Sequence, residues 1–115
     1  MRITTLEKIL LNGGGNYSNG ELIDYNNGYM VSVRDVVKIN LEAVSVINIS
    51  KVIRHIIEDC EFRNYGFWID RVKNESFLYI DISVNIPNLE DAIRIGISAN
   101  QLAIWDCNLN ESITL

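Results

Sequence analysis

Two segments in the last third of the chain alternate apolar and polar side chains with the period of a β-strand. Residues 66–70 place Phe67 and Ile69 on one side and Trp68 and Asp70 on the other. Residues 77–83 alternate in the same way, and the polar residues 71–76 separate the two segments. This pattern predicts a β-hairpin with one buried and one solvent-facing side.

A helix and a further strand are predicted after the hairpin. Asn88 is a good N-cap, Glu90 and Asp91 favour the first helical turn, and apolar residues recur up to Ile97 at helical spacing. Residues 102–106 then form an apolar segment ending in Asp106. We therefore expect a β–α–β crossover, with residues 102–106 parallel to residues 77–83 if the two are sheet neighbours.

The first half of the chain predicts helices at both ends and a hairpin between them. A capping box of Thr4 and Glu7 indicates a short helix that the glycines at 13–15 end. The Asn27-Gly28 pair indicates a hairpin of residues 21–25 with 29–33, and 36–41 is a weaker strand candidate. Residues from 48 or 50 to 60 carry a continuous apolar stripe and form the clearest helix.

These elements indicate a single α+β domain over residues 1–115. We expect a mixed sheet of about five strands, two main helices on one face, and a short amino-terminal helix. The closing part would be the hairpin followed by the β–α–β crossover.

The charge balance favours a protein partner over a nucleic acid. The chain has 10 Lys and Arg against 15 Asp and Glu, a formal net charge of −5, and no cluster of basic residues. Because nucleic-acid binding depends on neutralising phosphates, direct contact with a nucleic acid is disfavoured. An acidic surface instead suits a basic protein surface.

Motifs for metal, cofactor or nucleophilic chemistry are lacking. Two cysteines, Cys60 and Cys107, and one histidine, His55, are too few for a structural zinc site. No P-loop or nucleophile motif occurs, so we expect no cofactor, and the sequence favours a binding protein over an enzyme. Without a signal peptide or a long apolar run, the expected location is the cytoplasm, with reduced thiols.

Three aspartates near predicted strand ends are the one group that could support chemistry. Asp70, Asp81 and Asp106 could hold Mg²⁺ for reactions on phosphoesters or nucleotides. Such a site normally needs a basic helper residue, which no pattern indicates. The other interpretation is that these carboxylates keep one side of the sheet solvated.

Three aromatic residues share the predicted outer side of the same strands. If Ile104 points inward, Trp105 lies on the same side as Trp68 and Tyr79. They could anchor a partner protein or could belong to a second core layer beneath another part of the chain. The candidate partner-binding residues are Trp68, Asp70, Tyr79, Asp81, Trp105 and Asp106.

Five segments spread along the chain carry a resemblance to a known group of proteins. They are Asn12-Gly13-Gly14, Gly28-Tyr29-Met30-Val31-Ser32, Gly66-Phe67-Trp68-Ile69-Asp70, Tyr79-Ile80-Asp81-Ile82-Ser83 and Asn100-Gln101-Leu102-Ala103-Ile104-Trp105-Asp106. With these segments the chain resembles small uncharacterised proteins carried by phages and plasmids of low-GC Gram-positive bacteria. Because some proteins of that kind are anti-CRISPR inhibitors, the resemblance implies a mobile-element protein that blocks a Cas nuclease.

Three functional hypotheses follow. The first is a non-enzymatic acidic inhibitor that binds a basic surface of a nucleic-acid-handling protein, such as a Cas effector. The second is a metal-dependent phosphoesterase or nucleotide enzyme using the three aspartates. The third is an accessory domain that forms a homodimer through a strand edge or the aromatic side of the sheet.

Overall fold

The computed structural model describes residues 1–60 and 62–115, which form three helices and seven strands. In chain order these are α1 (Ile3–Asn12), β1 (Gly14–Ser18), β2 (Glu21–Ile23), β3 (Tyr29–Asn40), α2 (Val46–Asp59), β4 (Asn64–Val72), β5 (Glu75–Ile86), α3 (Leu89–Ser98), β6 (Ala103–Asp106) and β7 (Glu111–Thr114). None of these helices is long and apolar enough to cross a membrane.

The described strands form one curled antiparallel sheet in the order β2-β1-β4-β5-β3-β6-β7. The prediction of a mixed sheet of about five strands with two main helices was therefore wrong. Strand β1 was missed because it begins with glycines that were assigned to a helix stop. Residues 112–114, expected as either a last short strand or a tail, form most of β7. The amino-terminal helix, at 10 residues, is as long as α3.

The closing crossover has a different geometry from the one predicted. The hairpin of β4 and β5 is present, with a turn of only Lys73 and Asn74. After α3, however, β6 pairs with β3 and not with β5. Because β3 lies between them and is antiparallel to both, β5 and β6 run in the same direction without touching.

The predicted hairpin of residues 21–25 with 29–33 was wrong, because β2 pairs with β1 and not with β3. The sequence contains a second Asn-Gly pair, Asn19-Gly20, and this pair forms the amino-terminal hairpin turn. Asn19 and Gly20 adopt positive φ angles of 50° and 86° and join β1 to β2, as a type I′ turn requires. A connection that ends at Gly28 joins the edge strand β2 to the central strand β3. We call residues 24–28 the crossing segment.

All three helices pack on one side of the sheet. The larger hydrophobic cluster joins α1 and α2 to the centre of the sheet, and the smaller one joins α3 to β3 and β6. The larger cluster includes Tyr65 and Phe67 on β4 and Leu78 and Ile80 on β5. The inward side predicted for Phe67 and Leu78 is thus confirmed, and the alternate residues of both strands point to the opposite side, called here the open face.

Helix ends were partly predictable from single residues. Asn88 caps α3 by accepting a hydrogen bond from the Asp91 backbone N–H, as expected, and Gly13 ends α1 in the left-handed conformation. The Thr4 capping box was wrong, because Arg2 occupies the N-cap of α1 and Thr4 lies inside the helix. Ser45 caps α2, which begins earlier than predicted.

We predict that Gly14→Ala destabilises the protein more than Gly13→Ala. A Cβ at Gly14 would lie 2.5 Å from the Phe67 carbonyl oxygen and 3.2 Å from the Trp68 Cα, so the pairing of β1 with β4 would have to shift. A Cβ at Gly13 meets nothing within 4 Å. The free energy of unfolding in urea should fall by about 1 kcal/mol for Gly13→Ala, from the left-handed backbone alone, and by about 2–4 kcal/mol for Gly14→Ala. Equal losses would contradict this account of the β1–β4 contact.

Candidate functional site

The open face carries a row of aromatic side chains. Trp68 lies directly opposite Tyr79 across the β4–β5 pair, and Tyr79 lies opposite Lys38 across the β5–β3 pair. Directly opposed residues share a face of a sheet, so all three project away from the helices. Trp68 is 45% exposed although it is one of the largest apolar side chains of the chain. A second core layer over Trp68, considered above, is therefore not formed.

Ring stacking holds this row together. The Trp68 and Tyr79 rings are 4.3 Å apart between centroids and inclined by only 11°. The Lys38 ammonium lies 4.3 Å from the centroid of Phe77 and 5.4 Å from that of Tyr79, in cation–π geometry. We call Lys38, Trp68, Phe77 and Tyr79 the aromatic patch. Every ring of the patch contacts either another ring or the Lys38 ammonium.

One flank of the patch is left open by a glycine. The residue opposite Trp68 on β1 is Gly14, which has no side chain to cover the indole. On the next row of the open face β4 contributes another glycine, Gly66, opposite Asp81. A Cβ at Gly66 would collide with the Asp81 carboxylate and lie 2.8 Å from the Ser83 Oγ. The Asp81 side chain therefore occupies the space that Gly66 leaves.

Asp81 is held in an unfavourable place for a charge. Burial raises the pKa of its carboxyl group to about 6, and the nearby charge of Asp35 on β3 contributes to the increase. The Ser83 hydroxyl donates a hydrogen bond of 3.0 Å to Asp81 Oδ1, which acts in the opposite direction but does not offset the burial. Asp81 thus changes charge close to neutral pH.

A polar network ties the crossing segment to one end of the open face. The Tyr25 hydroxyl donates to Asn64 Oδ1 at 2.9 Å, and Asn64 Nδ2 donates to Asn16 Oδ1 and to Ser83 Oγ. Burial raises the pKa of Tyr25 above its ordinary value. Farther along, Asn85 Nδ2 donates to the Asn27 carbonyl. The crossing segment therefore covers this end of the face and leaves the aromatic patch uncovered.

Trp105 lies on the same side of the sheet but away from the patch. It is 43% exposed and pairs with Met30, which in turn pairs with Asn85. Tyr79 and Asn85 are six residues apart on β5, which corresponds to roughly 20 Å along the strand. The structure thus brings Trp68 and Tyr79 together and places Trp105 at the other end, beside the crossing segment.

The three aspartates considered as a metal site do not converge. Asp70 is four residues along β4 from Gly66, the partner of Asp81, which separates the two carboxylate positions by roughly 13 Å. Asp106 is buried and accepts hydrogen bonds from the backbone N–H groups of Asn108 and Leu109. Within residues 1–60 and 62–115, no group of three or more His, Cys, Asp or Glu side chains could hold a metal ion.

Some members of the site could not be identified from the sequence. Lys38 and Asp35 belong to it because β3 pairs with β5, a contact between segments about 40 residues apart. The alternation along β3 was a weak signal, because two bulges, between Ser32 and Arg34 and between Asp35 and Val37, interrupt this strand. Phe77, in contrast, was identifiable by its alternation with Tyr79.

Comparison with known proteins adds no assignment. The chain matches no protein-family model, and neither the curated proteins nor the solved structures contain a significant match to it. Functional inference therefore depends on the geometry of the chain itself.

We predict that Asp81→Asn stabilises the protein at neutral pH. The folded-state pKa of about 6 exceeds the ordinary value of 3.8, so the stability linked to this proton is present below about pH 4 and is lost as the pH rises through 6. The difference corresponds to about 3 kcal/mol. The free energy of unfolding of Asp81→Asn relative to the unmodified protein should therefore increase from pH 4 to pH 7. Asp70→Asn, which removes a charge from the same face, is the control, and an equal change in both variants would contradict the assignment to Asp81.

We also predict a structural role for Asp106. Its Oδ1 accepts from the Asn108 backbone N–H at 2.8 Å and from the Asn108 side chain at 3.2 Å, closing the turn between β6 and β7. Asp106→Ala should lower the free energy of unfolding by about 1–3 kcal/mol, because the turn loses three hydrogen bonds to a carboxylate oxygen. Asp70→Ala should change it by less than about 0.5 kcal/mol. Denaturation curves that show a larger loss for Asp70→Ala than for Asp106→Ala would contradict this structural role.

Proposed function

We propose that this protein is a non-enzymatic inhibitor that binds a basic surface of a partner protein through its aromatic patch. The observation that carries the proposal is the exposed Trp68 ring stacked on Tyr79, on a side of the sheet that faces away from all three helices. Tryptophan and tyrosine side chains that become buried at the centre of an interface supply most of the binding energy in many protein complexes. Asp106 has no part in this surface, since the turn after β6 uses its carboxylate.

The charges around the patch support a basic partner. Strand register puts Asp35, Asp70 and Asp81 on the open face, and Lys38 is the cation among them. The Lys38 ammonium lies over Phe77 and Tyr79, whereas Trp68 is 45% exposed and has only Gly14 opposite it on β1. A partner arginine could stack on that indole while pairing with a neighbouring carboxylate, because guanidinium groups combine both contacts.

The class of partner follows from the same charges. Proteins that handle nucleic acids carry basic surfaces that bind phosphates, and carboxylates on a rigid sheet can compete for those surfaces. The resemblance to proteins of phages and plasmids makes a Cas nuclease the specific version of this proposal. In that version the protein prevents DNA cleavage by occupying a nucleic-acid-binding surface.

The test is binding to purified Cas nucleases, measured by calorimetry, together with their DNA cleavage. The protein should form a complex and reduce cleavage, and Trp68→Ala should weaken binding at least tenfold, which is typical of a central interface aromatic. Trp105→Ala is a matched control, since it removes an equally exposed tryptophan from the far end of the same side. It should leave affinity within about twofold of the unmodified protein.

Three outcomes would contradict the proposal. Absence of a complex with unchanged cleavage would reject the Cas version. Undiminished affinity in Trp68→Ala would reject the aromatic patch as the contact. Sedimentation at several concentrations addresses the homodimer hypothesis, and a dimer that Trp68→Ala dissociates would assign the patch to a second copy of this chain.

A further inference from the structure

A groove on another part of the molecule collects positive charge. It lies between the start of α1, the turn from β1 to β2, and α2, and it is open to solvent with a volume of about 490 Å³. Its polar lining consists of Arg2, Tyr17, Ser50, Lys51 and Arg54. A cavity of this size is within the range of small-molecule sites.

The charge of this groove is opposite to that of the chain as a whole. Acidic residues outnumber basic ones by 15 to 10, yet three cationic side chains and no carboxylate line the cavity. Ion pairs in the described part of the chain join Arg63 to Asp59 and Arg94 to Asp91. The three cations of the groove are in neither of these pairs. Glu58 lies four residues after Arg54 on α2 and lines the neighbouring cavity with it.

The other groups in the groove suit an anion that carries a larger organic part. Tyr17 and Ser50 are buried in its wall, whereas Ile3 and Ile47 are 44% and 60% exposed at its border. A neighbouring cavity of about 290 Å³ shares Tyr17 and Arg54 and adds Asn19 and Glu58. The combined site therefore has a cationic end and an end with hydrogen-bonding side chains.

We propose that this groove binds a phosphate-bearing small molecule of about nucleotide size. Arg2, Lys51 and Arg54 would hold the phosphate, because guanidinium and ammonium groups form strong charge-assisted hydrogen bonds with phosphate oxygens. The apolar border would contact a ring, the Asn19 amide would donate or accept a hydrogen bond at the far end, and the Glu58 carboxylate would accept one there. Tyr17 points to the helix side of the sheet, so this site is separate from the aromatic patch.

Titration at constant ionic strength with adenosine monophosphate, inorganic phosphate and adenosine tests the proposal. Amide chemical shifts should show saturable binding of the nucleotide with changes at α1 and α2, weaker binding of phosphate, and no binding of adenosine. Lys51→Gln and Arg54→Gln should each lower nucleotide affinity at least fivefold. Lys73→Gln, which removes a positive charge from the exposed β4–β5 turn, should leave it unchanged.

Several results would overturn this proposal. One is the absence of saturable binding by either phosphate compound at millimolar concentration. Another is an equal loss of affinity in Lys73→Gln, because that would indicate general charge attraction and not a site. Unchanged affinity in both Lys51→Gln and Arg54→Gln would also reject it. None of these readouts involves Trp68, so their failure is distinguishable from failure of the partner-binding proposal.

Discussion

The antiparallel pairing of β3 with β5 is the contact on which the rest of the structure depends. It extends from Tyr29 opposite Ile86 to Asn40 opposite Phe77, and it occupies the middle of the sheet. One side of this pair carries β4, β1 and β2, and the other carries β6 and β7. Both hydrophobic clusters also lie over it, so the helices have a common support. Without this pair, the two halves of the sheet would not be joined.

The same pairing creates the unusual position of Asp81. Two bulges in β3 keep Asp35 opposite Asp81, so two carboxylates share a row of the open face, and Gly66 on the other side leaves room for the Asp81 side chain. A serine or threonine in place of Asp81 could accept the hydrogen bond from the Ser83 hydroxyl, and no charge would then be buried. Residues that lower stability in a well-formed sheet are typical of functional positions, because selection for stability alone would remove them.

Local features of the fold were predictable, and contacts between distant segments were not. Alternation in β4 and β5 identified the hairpin and the side of each residue, and Asn88 identified the start of α3. The sequence contained two Asn-Gly pairs of equal strength, and only tertiary contacts decide that Asn19-Gly20 forms the hairpin turn. The insertion of β3 between β5 and β6 is likewise a long-range pairing with no local signal. Because the site combines β4 with β5 and β3, its Trp68–Tyr79 half was predictable and its Lys38–Asp35 half was not.

Because charge is unevenly distributed over the chain, its net charge alone does not decide which ligands each surface can bind. A total of −5 argues against binding of polyanions, because a long phosphate backbone responds to the charge of a whole surface. It does not argue against a small anion, whose interaction is confined to the few groups within a Debye length of roughly 8–10 Å. Here the acidic residues of the open face and the cations between α1 and α2 lie on opposite sides of the sheet. One chain can therefore present an acidic surface to a basic protein and a basic groove to a small phosphate compound, and the two sites would not compete.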